Sequence, residues 1–263
     1  MHIVVCVKQV PDTTEVKVNP ETGTLIRTGV PSIINPCDHF AIGTALELKK
    51  EHGGDVTVIS MGPPQAKSVI QMGLALGADK GVLLSDMAFA GSDTWATSYT
   101  LARAVKKLGK ADLILCGFQA IDGDTAQTGP GTAQQLHIPQ ITFCETIKVS
   151  ARKVTVRRLI DNGYEIVEAK MPVLCTMVMP HEAVVRYPSF TGILKALEKP
   201  YEVWNAQDIG ADPECIGMKG SPTQVSRIYA PPAREKGTML TGTSGELAEK
   251  LLKILKQENF LPC

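Results

Sequence analysis

Four short runs dominated by apolar residues, each followed by a stretch with helical spacing, set the strongest limit on how this chain can fold. They are HIVVCV (2–7), DVTVIS (55–60), KGVLLS (80–85) and ADLILCG (111–117). Runs of this kind read as strands buried on both faces, which occur in parallel sheets covered by helices on each side. The intervening segments agree. Ile42, Ala45, Leu46 and Lys49 predict a helix over 37–51. PPQAKSVIQMGLALGA opens on prolines and closes on Gly77, as a helix does. Ser92 or Asp93 is suited to cap a helix running to Gly109, and a fourth helix should run through Leu136.

In parallel sheets, ligands bind outside the carboxyl ends of the strands. The loops to inspect are therefore Lys8 to Asp12, Met61 to Gln65, Ser85 to Ser92 and Gly117 to Thr128. The last begins the segment GFQAIDGDTAQTGPGTA (117–133). Free amides at the start of the next helix suit a phosphate, with Gln127, Thr128 and Gly129 as donors. Gly123 and Gly129 let a ligand come close to the backbone. Asp122 and Asp124 suit ribose hydroxyls, a base amino group or a helix cap better than phosphate. Spacing alone leaves two readings open, a nucleotide site and an unliganded helix cap. The motif is neither the G-x-G-x-x-G fingerprint nor the lysine-bearing phosphate loop. In SMGPPQ (60–65), Gly62 frees backbone and Pro63-Pro64 stiffen the turn, which also describes a plain connection. In NPCDHFA (35–41), Asn35 or Asp38 reads first as a helix cap.

Beyond Pro139 the pattern changes to short strands, with Asp161-Asn162-Gly163 as a hairpin signal. Antiparallel strands added to the sheet are expected. VKVNPETGTLI (16–26) reads as a small excursion turning at Asn19 to Gly23. From Tyr187 the chain shows little periodicity, until Thr243 and Glu246 form a capping-box pattern ahead of a Leu247, Leu251, Leu255 stripe. A long arm of little periodicity that ends in an amphipathic helix is expected to pack on the chain's own core or on another subunit.

Composition removes several function classes. Lys+Arg and Asp+Glu balance at 27 each and aromatics are 5%, which argues against nucleic-acid and anionic-membrane binding. The seven cysteines include no C-x-x-C pair, and Cys6, Cys116 and Cys175 lie in apolar runs, as core thiols of a reducing compartment do. There is no metal-ligand spacing and no nucleophile setting. The opening MHIVVCVKQV lacks signal-peptide organisation, so a cytoplasmic location is expected.

The segments VCVKQVPD, NPCDHFAI, VISMGPPQA, LALGADKGVLL, LILCGFQAIDGDTAQTGPGTA, MPVLCTMV and GILKAL, in that order, resemble the β subunit of electron transfer flavoproteins. The resemblance spans nearly the whole chain. It implies an adenine-nucleotide α-hydrolase-like α/β fold, with extra antiparallel strands and an extended C-terminal arm, in a heterodimer with an α subunit: a nucleotide-binding core over 1–186, a recognition loop over 187–200 and an arm over 201–263 that packs on the α subunit. It further resembles the electron-bifurcating branch, through SMGPPQ and through Gly123 with the small Thr125-Ala126 pair, where AMP-holding members carry bulkier or more acidic side chains. That branch implies FAD, with its ADP part against Cys6, Asn35 and Asp38. The same part would meet the 122–132 loop: Asp122, Gly123, Asp124, Thr125, Gln127, Thr128, Gly129 and Thr132.

NADH would approach past Met61, Gly62, Pro63 and Pro64. Electrons would divide between ferredoxin or flavodoxin and the α subunit's FAD, which serves a dehydrogenase. SFTGILKALEKP corresponds to the family's partner-recognition segment, with Phe190 at its apolar anchor, where leucine is familiar, and Ile193, Leu194 and Lys195 beyond. No side chain is required as acid or base, since the cofactor carries the chemistry. Two other readings stand beside this one: a β subunit with structural AMP, and a stand-alone nucleotide-binding regulator of the universal-stress type.

Overall fold

The structure is a computed structural model that describes residues 1–12, 17–18, 25–26, 31–179, 186–224, 226 and 237–261. The chain divides into two units, Met1–Ile228 and Tyr229–Cys263.

The first unit is built on a nine-stranded sheet. Its parallel centre comes from β1 (His2–Cys6), β6 (Asp55–Met61), β7 (Lys80–Leu84) and β8 (Leu113–Gly117). Between β1 and β6, among the described residues, lie four short strand pieces and one helix. β2 (Gln9–Pro11) pairs with β5 (Ser32–Ile34), and β3 (Lys17–Val18) pairs with β4 (Leu25–Ile26), both antiparallel. The expected turn at Asn19 to Gly23 lies outside the described residues. The helix is α1 (Pro36–His52); α2 (Lys67–Leu76) follows β6 and α3 (Thr94–Leu108) follows β7. Asp93 caps α3 by accepting from the Trp95 and Ala96 amides. After β8 come α4 (Thr128–Leu136), β9 (Gln140–Ser150), β10 (Lys153–Ile160), β11 (Gly163–Lys170) and β12 (Val173–Met177). β9, β10 and β11 form the expected antiparallel addition, with Ile160 opposite Gly163 at the hairpin turn.

The strand order is β11-β10-β9-β12-β8-β1-β6-β7-β13, the last being the edge strand Tyr201–Trp204. From β1 the chain moves one way along the sheet, to β6 and β7. From β8 it moves the other way. With right-handed crossovers, that reversal sends α1 and α2 to one face and α3 and α4 to the other. The packing agrees. Ile42, Ala45, Ile70 and Leu74 lie in one buried cluster with Val5, Val58 and Leu115, and Leu101, Val105 and Ala133 lie in another with Val4, Ile59 and Ile114. The reversal falls between β1 and β8, which pair in parallel with Cys6 opposite Cys116. This is where an open α/β sheet has its ligand crevice.

Two stretches differ from the sequence expectation. Residues 190–196 form a helix, α5 (Phe190–Ala196), where no period was readable. Ser189 Oγ accepts from the Gly192 amide to cap it, and a Cβ on Gly192 would lie 2.4 Å from the Ala75 carbonyl oxygen, so α5 is seated against α2. Seven residues are too few for a 3.6-residue period to stand out. The expected arm boundary at 201 also falls inside the first unit. β13 (Tyr201–Trp204) pairs with β7 at the sheet edge, and Trp204, Ile209 and Ile216 are buried on the α3 face. Arg103 of α3 holds this segment by donating to the carbonyls of Ile209 and Gly210. The second unit contains α6 (Ser244–Gln257), where Thr243 N donates to the Glu246 carboxylate at 2.9 Å, the back-bond of the expected capping box.

Close packing between α2 and the sheet gives a direct test. A Cβ on Gly81 would lie 2.3 Å from Ile70 Cγ2 inside this core. Gly81→Val is expected to cost about 1–3 kcal/mol of stability through overpacking. Thermal or denaturant unfolding measures it, and an unchanged midpoint would contradict the described β7–α2 contact.

Candidate functional site

The crevice between β1 and β8 is organised by the first turn of α1. Asn35 and Asp38 look like caps in the sequence, but neither side chain caps α1. Asn35 Nδ2 donates to the Gln119 carbonyl at 2.9 Å, and its Oδ1 accepts from the Ile121 amide at 3.2 Å. Asp38 Oδ2 accepts from the Lys8 amide and Oδ1 from the Gly117 amide, each at 2.8 Å. Lys8 follows β1 and Gly117 ends β8, so one carboxylate joins the two strand ends across the crevice. The cap reading fails because amides from distant segments compete for these oxygens more effectively than the helix's own first turn.

The surroundings of Asp38 are poor in charge. Burial pushes its carboxyl up to about 7, against the opposing pull of the Gly117 and Lys8 amides. Burial, and then Asp38, push the Cys6 thiol up to about 12, and Cys116 is raised well above its ordinary value for the same leading reason. Both thiols are therefore neutral at ordinary pH. Lys8 is the nearby cation. Its Nζ pairs with Asp122 Oδ1 at 2.7 Å, linking the β1 side to the 117–127 loop. The pair is partly exposed, so it orients the loop more than it stabilises the fold.

The loop then presents its backbone. Asp124 and Ala126 are both left-handed, with φ of 54°, while Gln127 returns to φ −108°. Left-handed and right-handed residues in succession aim their amides toward one side, the arrangement that cradles anions. The amides of Thr125, Ala126, Gln127, Thr128 and Gly129 have no acceptor among the described residues. They lead into the first turn of α4, whose dipole adds to the same attraction. The aspartates that look wrong for phosphate are accounted for separately. Asp122 is turned to Lys8, and Asp124 occupies a backbone region that Asp tolerates better than most residues.

The expected site residues do not all meet here. Asn35, Asp38, Asp122 and Asp124 to Gly129 converge on the crevice, and Cys6 lies beneath it at the end of β1. Thr132 is buried within α4 and its hydroxyl donates to the Thr128 carbonyl. The 61–65 loop opens at the same sheet edge, beyond β6. The Gly62 amide is occupied, donating to the Leu84 carbonyl at 3.0 Å. Gln9 Nε2 bridges to the Gln65 carbonyl and to Ser68 Oγ. Phe190, Ile193, Leu194 and Lys195 lie on α5, with Phe190 75% exposed.

Lys8 is the residue the sequence undervalues, although its position just past the first strand was a usable signal. Phe143 is another. It is left-handed at φ 55°, next to a bulge in β9, and its ring lies 5.6 Å from that of Phe118 at the start of the loop. Among the described residues there is no cluster able to hold a metal ion, and no helix long and apolar enough to cross a membrane.

A doubly wound sheet with a loop of outward-facing amides at its switch point defines an open α/β protein of the class that binds ligands in that crevice. The electron transfer flavoprotein domain matches residues 22–209. The chain is 51% identical over 263 residues to the caffeyl-CoA reductase-Etf complex subunit CarD of Acetobacterium woodii, covering 99% of this chain and 100% of the relative. It is 48% identical over 261 residues to an electron transfer flavoprotein subunit beta of Clostridium acetobutylicum, with the same coverage of both chains. It is 44% identical to the acryloyl-CoA reductase electron transfer subunit gamma of Anaerotignum propionicum, across 99% of this chain and 100% of that one. The chain belongs to the electron transfer flavoprotein family, among its β subunits.

Two glycines in the crevice separate packing from ligand room. A Cβ on Gly117 would lie 2.5 Å from Asp38 Oδ1 and 2.6 Å from Cys37 Cβ, whereas one on Gly123 would meet, among the described residues, only Lys8 Nζ, at 3.9 Å. Gly117→Ala is expected to lose about 1–3 kcal/mol, and Gly123→Val to stay within about 0.5 kcal/mol of the parent protein when ligand-free. Parallel unfolding curves check both. Equal losses would mean that Gly123 is not open.

Proposed function

We propose that this chain is the β subunit of a heterodimeric, electron-bifurcating electron transfer flavoprotein, holding FAD in the β1–β8 crevice and drawing electrons from NADH. The complex would deliver one electron to ferredoxin or flavodoxin and the other to the α subunit's FAD, for a partner dehydrogenase. The observation that carries the reading is the run of unpaired amides from Thr125 to Gly129 beside the open space at Gly123. Those amides fit the pyrophosphate of a dinucleotide, and the space fits a ligand that extends past it. The full-length similarity to a relative named for a caffeyl-CoA reductase-Etf complex supports the choice of branch.

The protein's part in this reading is binding and orientation. Bound flavin supplies hydride acceptance and electron transfer. The 125–129 amides would hold the phosphates. Asn35 and Asp38 keep the loop and both strand ends at fixed spacing, and Met61 to Pro64 would border the dinucleotide. Because the Gly62 amide is bonded to Leu84, NADH would meet that loop through its surface and not through that donor.

A second reading keeps the family and changes the ligand. The amide cradle recognises phosphate and is indifferent to what lies beyond it, so structural AMP fits it equally. Purifying the complex and counting bound nucleotides decides between them. Two flavins per heterodimer and no AMP is the expected result; one flavin with one AMP would establish the second reading.

The exposed apolar side of α5 is the proposed contact for the dehydrogenase. Phe190→Ala should leave folding and NADH-dependent dye reduction unchanged, because the Phe190 side chain is exposed. It should slow electron transfer to the dehydrogenase about tenfold or more, as loss of an aromatic anchor does. Parental coupling rates in the variant would remove α5 from the interface.

A further inference from the structure

Asp38 is a nearly buried carboxylate whose two oxygens are both engaged by backbone amides, from segments on opposite sides of the crevice. We propose that Asp38 is a proton-sensitive positioning residue: ionised, it clasps β1 to β8 and holds the nucleotide loop closed, and protonated, it releases one of the two amides and loosens the bound nucleotide. This rests on the reading that the crevice holds a nucleotide.

The chemistry follows from the acceptor count. A carboxylate accepts at both oxygens, whereas a carboxylic acid has one good acceptor and a hydroxyl that must itself donate. The Lys8 and Gly117 amides cannot both be served by the acid. Gly117 is the first residue of the loop that carries Asp122 and the 125–129 amides, so slack at Gly117 reaches the ligand directly.

The groups facing Asp38 leave it free to respond near neutral pH. From β1 and its extension these are Cys6 and the Lys8 ammonium, from α1 Cys37, and from β8 Cys116. All three thiols are raised and stay neutral across this range. Lys8 is shared with Asp122. Burial raises Asp38 to about 7. His39, the next residue, is lowered below its ordinary 6.5 and turns its Nε2 to the Arg186 carbonyl.

The sign separates this device from acid unfolding. A carboxyl raised on folding binds a proton more readily in the folded chain, so its contribution to stability improves as pH falls through about 7. Acidification from pH 8 to 6 should therefore loosen the nucleotide without lowering the melting temperature through this group.

The experiment uses the full-length chain with any subunit that co-purifies. Nucleotide release and amide exchange of the 113–127 segment, corrected for the intrinsic pH dependence of exchange, are measured from pH 6 to 8. The parent protein is compared with Asp38→Asn and His39→Gln. The expected result is release about tenfold faster at pH 6 than at pH 8, as for loss of one hydrogen bond, with matching loss of protection in 113–127. Asp38→Asn should release quickly at every pH, because its amide nitrogen cannot accept, and His39→Gln should follow the parent. Release and protection that ignore pH in the parent, or a pH dependence that survives in Asp38→Asn, would overturn the proposal. Should no nucleotide be bound at pH 8, the nucleotide reading fails, and the exchange data still decide whether Asp38 acts as a proton-sensitive clasp.

Discussion

The clasp at Asp38 is the interaction on which the candidate site depends. At a switch point the two central strands send their chains to opposite faces, and the amides just past the strand ends run out of ladder partners. Hydrogen bonds to a charged acceptor contribute about 1.5–3 kcal/mol each. Burial of the carboxylate works against them, and a carboxyl raised from 3.8 to about 7 records that burial prevails. Carrying the charge above neutral pH thus costs the fold about 4 kcal/mol. A residue retained on those terms specifies geometry and does not add stability. The geometry it specifies is the distance between Lys8 and Gly117, and Asn35 extends the same control to Gln119 and Ile121.

In the proposed reading, recognition in this site would be a property of the backbone. The side chains that a reader of the sequence would assign to a ligand are mostly committed elsewhere: Asp38 and Asn35 to amides, Asp122 to Lys8, Thr132 to its own helix. The donors left over are main-chain amides, turned outward by two non-glycine residues in the left-handed region. Each such residue costs about 1–2 kcal/mol. Strain of this kind persists where neighbouring structure over-determines it. Here the Asn35 bonds and the Lys8–Asp122 pair fix the first half of the loop, and α4 fixes its end.

Much of the fold was legible in the sequence, for a physical reason. Strands buried on both faces must be apolar along their whole length, and β1, β6, β7 and β8 announce themselves that way. The position of the crevice followed from their parallel arrangement. What could not be read were the interactions between remote segments. Asn35-Pro36 before a helical run has the composition of a cap, and only the fold brings Gln119 and Ile121 near enough to compete. α5 is too short to carry a period. β13 is an edge strand with Trp204 buried and Val203 exposed, and its four residues between Pro200 and Asn205 carry too short a pattern to show that the chain rejoins the sheet.

The crevice has few fixed charges, and this bears on the proposed reading. The Cys6 and Cys116 thiols are held neutral, Lys8 and Asp122 offset one another, and Asp38 is poised near its own titration. Under that reading a phosphate would be held by amide dipoles whose attraction changes little with pH, while the single charge that varies lies on the residue that sets the loop's spacing. A redox cofactor changes its own charge as it works, and a site crowded with fixed charges would favour one of its states strongly. Neutral sulfur and backbone dipoles impose less of that bias. The same economy would make Asp38 influential under the proposed reading: in a crevice with little other variable charge, the gain or loss of one proton would alter both the field and the geometry that a bound nucleotide meets.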